Sequence, residues 1–371
     1  MRITGAVLEE IGRPRPYAES RPITVSELDL SAPRETELLV RVQAAGVCHS
    51  DLSVVDGNRV RPVPMLLGHE ASGVVEEVGD AVTDISPGQR VILTFLPRCG
   101  QCPPCQTDGR VPCVQGSASN NAGDLLAGGG RLTRDGREVK HHLGVSGFAT
   151  HCVVDRRSVV VVDDDVPPEV AAVLGCAVLT GGGALLNAAR PEPGQTVAVI
   201  GLGGVGMAAL ISAVGLQDYT VIGVDGLSEK LARATRLGAD HVFTPAEFAE
   251  SGTRPDVVIE AVGSARAFEA AVAATAPGGV TVTVGLPSPD ARSSISPLAL
   301  VAEGRTIVGS YLGSAVPERD IPVFIDLWRR GRLPVEELIS SVIELQDLNS
   351  AMDVLADGKA VRQVIRFAAD E

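Results

Sequence analysis

The sequence predicts an α/β chain of two domains, one β-rich and one a doubly wound parallel sheet. Three observations predict it. A length of 371 residues is enough for about two domains. The chain before roughly residue 165 is dominated by β-branched runs and turns, among them ELLVRVQAAGV, SGVVEEVGD and RVILTF. Beyond it, short apolar runs alternate with small-residue helical runs, and the first pair is joined by a glycine cluster. Composition narrows the function. A formal net charge of −14 repels phosphate backbones, so nucleic acid is excluded as a partner. Aromatic residues at 3 % provide no stacking platform for bases or sugars. The opening MRITGAVLEEIGRPRP has no apolar core of signal-peptide length and reads as a cytoplasmic N-terminus.

Within the β-rich part the cysteines carry the first chemistry. In a reducing compartment seven cysteines suggest metal rather than disulfides. Cys99, Cys102, Cys105 and Cys113 form C-x2-C-x2-C-x7-C between residues 97 and 115, with Gly100 and two prolines to bend the loop. Four thiolates favour a closed tetrahedral zinc, which is structural; an iron–sulfur cluster is the competing occupant. A second set is dispersed. GVCHSD carries Cys48, LLGHE carries His69 and Glu70, and LGCAVLTG carries Cys176. Singly, each reads as a buried thiol or a packed histidine. Together, two thiolates and one imidazole leave a fourth zinc position open, the catalytic arrangement. Asp51 stands close enough in sequence to orient a ligand imidazole. Cys152 has no partner at ligand spacing and reads as structural.

The dinucleotide part opens on QTVAVI, a strand, and MAALISAVGL, a helix. Between them Gly201, Gly203, Gly204 and Gly206, with Val205 among them, fit G-x-G-x-x-G. The uncharged stretch from Val197 to Leu216 has membrane-span length, but these glycines divide it into strand, turn and helix, so no membrane partner is expected. A second strand, TVIGVD, ends in Asp225, 19 residues after Gly206. A carboxylate there accepts from ribose hydroxyls and repels a 2′-phosphate, favouring NAD over NADP. Lys230 could reach the ribose or be a solvated surface charge. DVVIEAVG, AFEAAVAATAPGG and VTVTVGLP continue as strand, helix, strand, and IPVFIDLWRRGRLPVEELI resumes helix and turn after this domain.

GVCHSD, GHE, the four-cysteine loop, GCAVLTG and GLGGVG, in this order and spacing, resemble the zinc-dependent alcohol dehydrogenases of the medium-chain dehydrogenase/reductase superfamily. The likeness runs through to GKAVRQVIRF. It implies a GroES-like catalytic domain over residues 1–177 and 312–371, interrupted by a Rossmann domain over 178–311. It implies that Cys48, His69 and Cys176 bind a catalytic zinc, making two zinc ions per chain. It implies that Ser50 bridges the substrate oxygen and the nicotinamide ribose, that Glu70 lies behind the zinc, and that Arg362 contacts both the pyrophosphate and Glu70. Further NAD contacts implied are His49, Thr180, Val262, Val284, Leu286, Ser310 and Leu312. Family members pair through edge strands of the dinucleotide domain, so VTVTVGLP and RTIVGSYL are expected edges of a homodimer or homotetramer.

Two departures matter. Ser53 stands where animal members carry a relay histidine, and His49 replaces an arginine found near the pyrophosphate in some members. His142, in KHHLGVSG, is then a candidate proton exit, or with His141 simply packs its loop. Arg59 and Arg61 either border the substrate channel or are solvated. The expected activity is reversible hydride transfer between an alcohol and NAD, giving an aldehyde or ketone. Oxidation of an S-hydroxymethyl thiol adduct of formaldehyde is the enzymatic alternative. A redox-inactive zinc and nucleotide sensor is the non-enzymatic one.

Overall fold

The computed structural model describes residues 1–368. It divides into two units. The first comprises residues 1–107, 111–176 and 339 onward; the second comprises 108–110 and 177–338.

The first unit is built on β-strands, as its β-branched runs predict. Five strands, Arg2–Leu8, Ile23–Leu30, Leu132–Arg134, Arg137–His141 and Met65–Leu66, close into a small barrel. Ile3, Val7, Leu28, Leu66, Leu132 and Val139 fill its core. Beside it a seven-stranded sheet centres on the long strand Glu37–Val47. That strand pairs with Ala71–Val78 on one side and with the C-terminal strand Arg362–Arg366 on the other. Gln363 lies opposite Val47, so Arg362 reaches the segment that begins at Cys48.

The second unit holds six parallel strands. Numbered along the chain they are Thr196–Ile200, Thr220–Val224, His241–Phe243, Val257–Glu260, Val280–Thr283 and Thr306–Gly309, and they lie in the order 3-2-1-4-5-6. This is the doubly wound Rossmann order. The first strand is almost wholly buried, which suits a run apolar on both faces. The uncharged stretch from Val197 divides as expected, into that strand, a glycine turn and the helix Gly204–Leu216. A different helical run, 168–189, has span-like length and hydropathy, and 89 % of its apolar window is buried.

Two expectations are corrected. The chain rejoins the first unit at Ile339, not at residue 312. The helix Pro317–Arg329 stays with the second unit because Phe324 packs against Gly182, and Arg332 donates to the carbonyl oxygens of Gly215 and Leu216. Of the two expected sheet edges only Thr306–Gly309 is one. Val280–Thr283 is paired on both sides, to the fourth and the sixth strands.

Candidate active site

Cys48 ends the long strand and caps the short helix His49–Val55. Asp51 in the first turn accepts from the Cys48 backbone N–H through Oδ2 (3.1 Å), which fixes the entry of that helix. His69 follows Gly68, whose N–H donates to Asp51 Oδ1 (3.2 Å). Cys176 sits in a π-helical turn, Leu174–Val178, inside an otherwise α-helical run. The ligand atoms of Cys48, His69 and Cys176 lie within 4.8 Å of one another, and all three residues are buried. Cys176 Sγ is 3.6 Å from His69 Nε2. Bonds of about 2.3 Å to sulfur and about 2.0–2.1 Å to nitrogen, at a tetrahedral angle, require about 3.6 Å between those atoms. The donor set therefore fits zinc, and among the described residues these three are its ligands, which leaves one position of a tetrahedron open.

The other face of His69 is equally ordered. Nδ1 lies 3.1 Å from Asp51 Oδ1, so the ring presents Nε2 to the thiols. Phe95 stands edge-on to the ring at 5.3 Å between centroids. Charges here favour a cation. Burial opposes a charged imidazole, yet Asp51 and Cys48 outweigh it and push His69 up to about 10. Cys48 is pulled toward thiolate by its hydrogen bond with Cys176, helped by Arg362 and His69. Asp51, despite burial, is held at about 2 by His69 and His142. A metal dication at Nε2 would supply the positive charge this surrounding favours while Nδ1 stays on Asp51.

Behind the set lies Glu70, fully buried, with Oε1 3.5 Å from Arg362 Nε and neither carboxylate oxygen accepting a well-formed hydrogen bond. Burial raises its carboxyl to about 7 against the pull of Arg362. Arg362 Nη1 donates to the Val47 carbonyl oxygen (3.0 Å). Gly46 makes room for Glu70, since a Cβ there would overlap the carboxylate.

The four-cysteine loop converges as well. Sγ separations are 3.5 Å for Cys102–Cys105 and 3.9 Å for both Cys99–Cys105 and Cys102–Cys113. A tetrahedron with metal–sulfur bonds of about 2.3 Å has edges of about 3.8 Å. The N–H groups of Cys99 and Gly116 point at Cys113 Sγ, each at 3.3 Å. The backbone N–H of Val114 draws the Cys102 thiol down to about 6.

In the second unit the dinucleotide residues collect at the carboxyl ends of the parallel strands, where such sheets bind ligands. Gly201 has φ +92° and lies so close to Val262 that a Cβ would come within 2.5 Å of it. A Cβ on Gly206 would overlap the Gly201 carbonyl. A Cβ on Gly203 would meet nothing within 4 Å, so this open face can admit a pyrophosphate at the N-terminus of helix Gly204–Leu216. Asp225 accepts from the Leu202 and Leu227 N–H groups (2.7 and 2.9 Å), and Lys230 Nζ lies 3.8 Å from its Oδ2. Lys230 is thus an ion-pair partner, not a lone solvated charge.

Residues 34–164 match the model of the alcohol dehydrogenase GroES-like domain, and residues 204–329 match that of the zinc-binding dehydrogenases. An alcohol dehydrogenase zinc-binding domain protein from Burkholderia ambifaria is 30 % identical, covers all of both chains and superposes with a TM-score of 0.91. Benzyl alcohol dehydrogenase from Acinetobacter calcoaceticus is also 30 % identical, with 99 % of this chain and 100 % of that one covered and a TM-score of 0.89. A cobalt- and zinc-bound thermostable alcohol dehydrogenase from Pyrobaculum aerophilum is 26 % identical, with the same coverage and a TM-score of 0.80. The chain belongs to the zinc-dependent alcohol dehydrogenases of the medium-chain dehydrogenase/reductase superfamily.

The remaining residues expected of such a dehydrogenase fall in both units. In the first, His49 is exposed and Ser50 half-buried, on consecutive positions of the helix after Cys48. Ser53 Oγ donates to the His49 carbonyl oxygen (2.8 Å). In the second, Thr180, Val284, Ser310 and Leu312 are buried, while Val262 and Leu286 are 52 % and 43 % exposed. Ser310 Oγ lies 3.0 Å from Ser314 Oγ. Cys152 is buried, and burial pushes its thiol up to about 12, as befits an inert packing residue. Arg61 is tied to Asn121 Oδ1 (2.5 Å), and Arg59 is half-buried. Of the two readings of His142, proton exit or packing of its loop, its burial favours the second: it is 1 % exposed, with Nδ1 3.0 Å from Asp51 Oδ1. His141 does pack its loop, accepting from the Arg131 N–H (3.0 Å). Phe95 and Gly46 were not singled out by sequence. A glycine within a strand signals close approach and could have found Gly46; nothing local marks Phe95.

Proposed function

We propose that this dehydrogenase carries a hydride between the carbon of a small alcohol and NAD, using one catalytic and one structural zinc. The carrying observation is the buried set Cys48, His69 and Cys176, whose Sγ–Nε2 spacing suits zinc and whose fourth position is free of protein ligands. Zinc held there is a Lewis acid that makes an alcohol hydroxyl more acidic. The chain's own residues do the rest. Asp51 holds the His69 tautomer from Nδ1. Ser50 Oγ, two positions after Cys48, would take the hydroxyl proton while passing its own on through the ribose to water, as the hydride leaves carbon for NAD. Ser53 Oγ keeps its lone pairs free for a water path outward, because it spends its proton on the His49 carbonyl. Glu70 and Arg362 balance charge behind the set. Cys99, Cys102, Cys105 and Cys113 hold the second zinc, which leaves no position for substrate. Gly201, Gly203, Gly204 and Gly206 receive the pyrophosphate, and Asp225 with Lys230 the adenosine ribose.

A panel of primary, secondary and aromatic alcohols with NAD, followed at the NADH absorbance band, tests this. We expect turnover with at least one class, abolished by Cys48→Ser or Cys176→Ser in a folded protein. Turnover confined to formaldehyde plus a thiol would select adduct oxidation instead. A zinc-loaded protein inert toward every alcohol and carbonyl would refute hydride transfer.

A further inference from the structure

Asp51 is a fully buried carboxylate flanked by two imidazoles. Its Oδ1 lies 3.1 Å from His69 Nδ1 and 3.0 Å from His142 Nδ1. The two rings stand perpendicular, at 89° and 5.4 Å between centroids. His142 is itself 1 % exposed, and its Nδ1 stands 3.0 Å from Asp51 Oδ1 without forming a well-aligned hydrogen bond to any of the described residues. A buried polar nitrogen left without a well-formed partner is costly to the fold unless it serves a purpose.

The chain goes to some length to put it there. His142 follows the barrel strand Arg137–His141 and opens a turn in which Leu143, Gly144 and Ser146 take φ of +52°, +69° and +55°. Two of these are non-glycine residues in the left-handed region, a conformation that needs support from its surroundings. The support is the Ser146 hydroxyl. Its Oγ accepts from the His142 N–H (3.0 Å), donates to the Leu66 carbonyl (3.0 Å) and lies 3.3 Å from His141 Nδ1. Leu66 in turn precedes the Gly68–His69 pair by two positions, so one hydroxyl ties the turn to the segment that bears the ligand histidine.

We propose that His142 is a positioning residue: its ring, held 3.0 Å from Asp51 Oδ1, restrains the carboxylate that orients His69, and thereby tightens zinc at Cys48, His69 and Cys176. The proposal rests on the zinc reading of that set given above. Without the His142 ring, Asp51 keeps the Cys48 and Gly68 N–H groups but loses a close polar neighbour on the oxygen that meets His69. Partners of this kind are worth about 10- to 100-fold in metal affinity.

The test compares His142→Phe, which keeps a ring and removes its nitrogens, with His142→Asn, whose amide puts a polar group roughly where Nδ1 stands. Zinc content of the full chain is followed by elemental analysis during exposure to a chelator, with thermal melting alongside. The cobalt(II)-substituted proteins are compared by their visible absorption bands. We expect His142→Phe to lose one zinc about 10- to 100-fold faster than the parent while the other is retained, and to shift the cobalt bands. His142→Asn should recover most of both properties. Parent-like zinc loss in His142→Phe would overturn the proposal. So would equal defects in the two variants that scale with melting temperature, since packing alone would then account for them. A parent whose zinc content is unchanged by Cys48→Ser would instead overturn the zinc reading, and this inference with it.

Discussion

At the scale of single residues the chemistry is set by what each charged group is made to face. Asp225 is held by two backbone N–H groups and by Lys230, so its charge is fixed at the end of the second parallel strand. A 2′-phosphate placed there would meet like charge, a repulsion of about 1–4 kcal/mol at about 4 Å. We therefore expect Asp225→Asn to lower the ratio of kcat/KM for NAD over NADP by about tenfold or more; an unaltered ratio in steady-state kinetics would remove Asp225 from cofactor choice. His141 makes a second case. Burial first, then Arg131 and Lys140, depress it to about 3. The unfolded chain takes up this proton near the reference pKa of about 6.5, whereas the folded chain resists it until about 3. Stability is lost as pH falls through that window, by at most about 1.4 kcal/mol per pH unit, and is unaffected above it. His141→Gln should flatten the fall of melting temperature between about pH 6.5 and 4.5. A parent-like slope would contradict the buried neutral ring.

At the scale of elements, the two main pieces of the first unit are joined by a buried ion pair. Glu37 opens the central strand and Arg131 precedes the barrel strand Leu132–Arg134. Arg131 Nη2 and Nε donate to Glu37 Oε1 and Oε2 at 2.5 and 2.8 Å, with both residues almost wholly buried. Removing one charge strands the other, at about 3–5 kcal/mol. Glu37→Gln should lower the melting temperature by several degrees; a change within error would show the pair to be solvated in solution. Neither partner stood out in the sequence. Apart from the dispersed Cys48, His69 and Cys176, which the order of the motifs drew together, what was legible there was local: four thiols bunched within a short loop, or glycines clustered between a strand and a helix. Asp51 was legible because it lies within one turn of Cys48. The contact of His142 with Asp51 was not legible, because the two lie far apart in sequence and are brought together only by the fold of the barrel. The return to the first unit was placed at 312 for a similar reason. An amphipathic helix such as Pro317–Arg329 does not state which sheet it covers, and the Phe324–Gly182 contact decides it.

At the scale of the whole molecule, the sheet of the second unit ends on the strand Thr306–Gly309. The preceding helix exposes Leu298 and Val301 at 76 % and 82 %. An open edge beside apolar side chains is the kind of surface a second copy covers. We propose a homodimer or a higher even assembly, with a light-scattering mass of at least about twice 38.4 kDa; a mass near 38.4 kDa at micromolar concentration would refute it. The claim on which the function turns is the division of seven thiols into a closed four-sulfur site, an open three-ligand site and one inert packing residue. Zinc content by elemental analysis of the freshly purified parent and of Cys48→Ser, side by side, tests it most directly. We expect two zinc ions per chain in the parent and one in the variant, with the fold retained. A single zinc in active parent protein, or two in the variant, would contradict it.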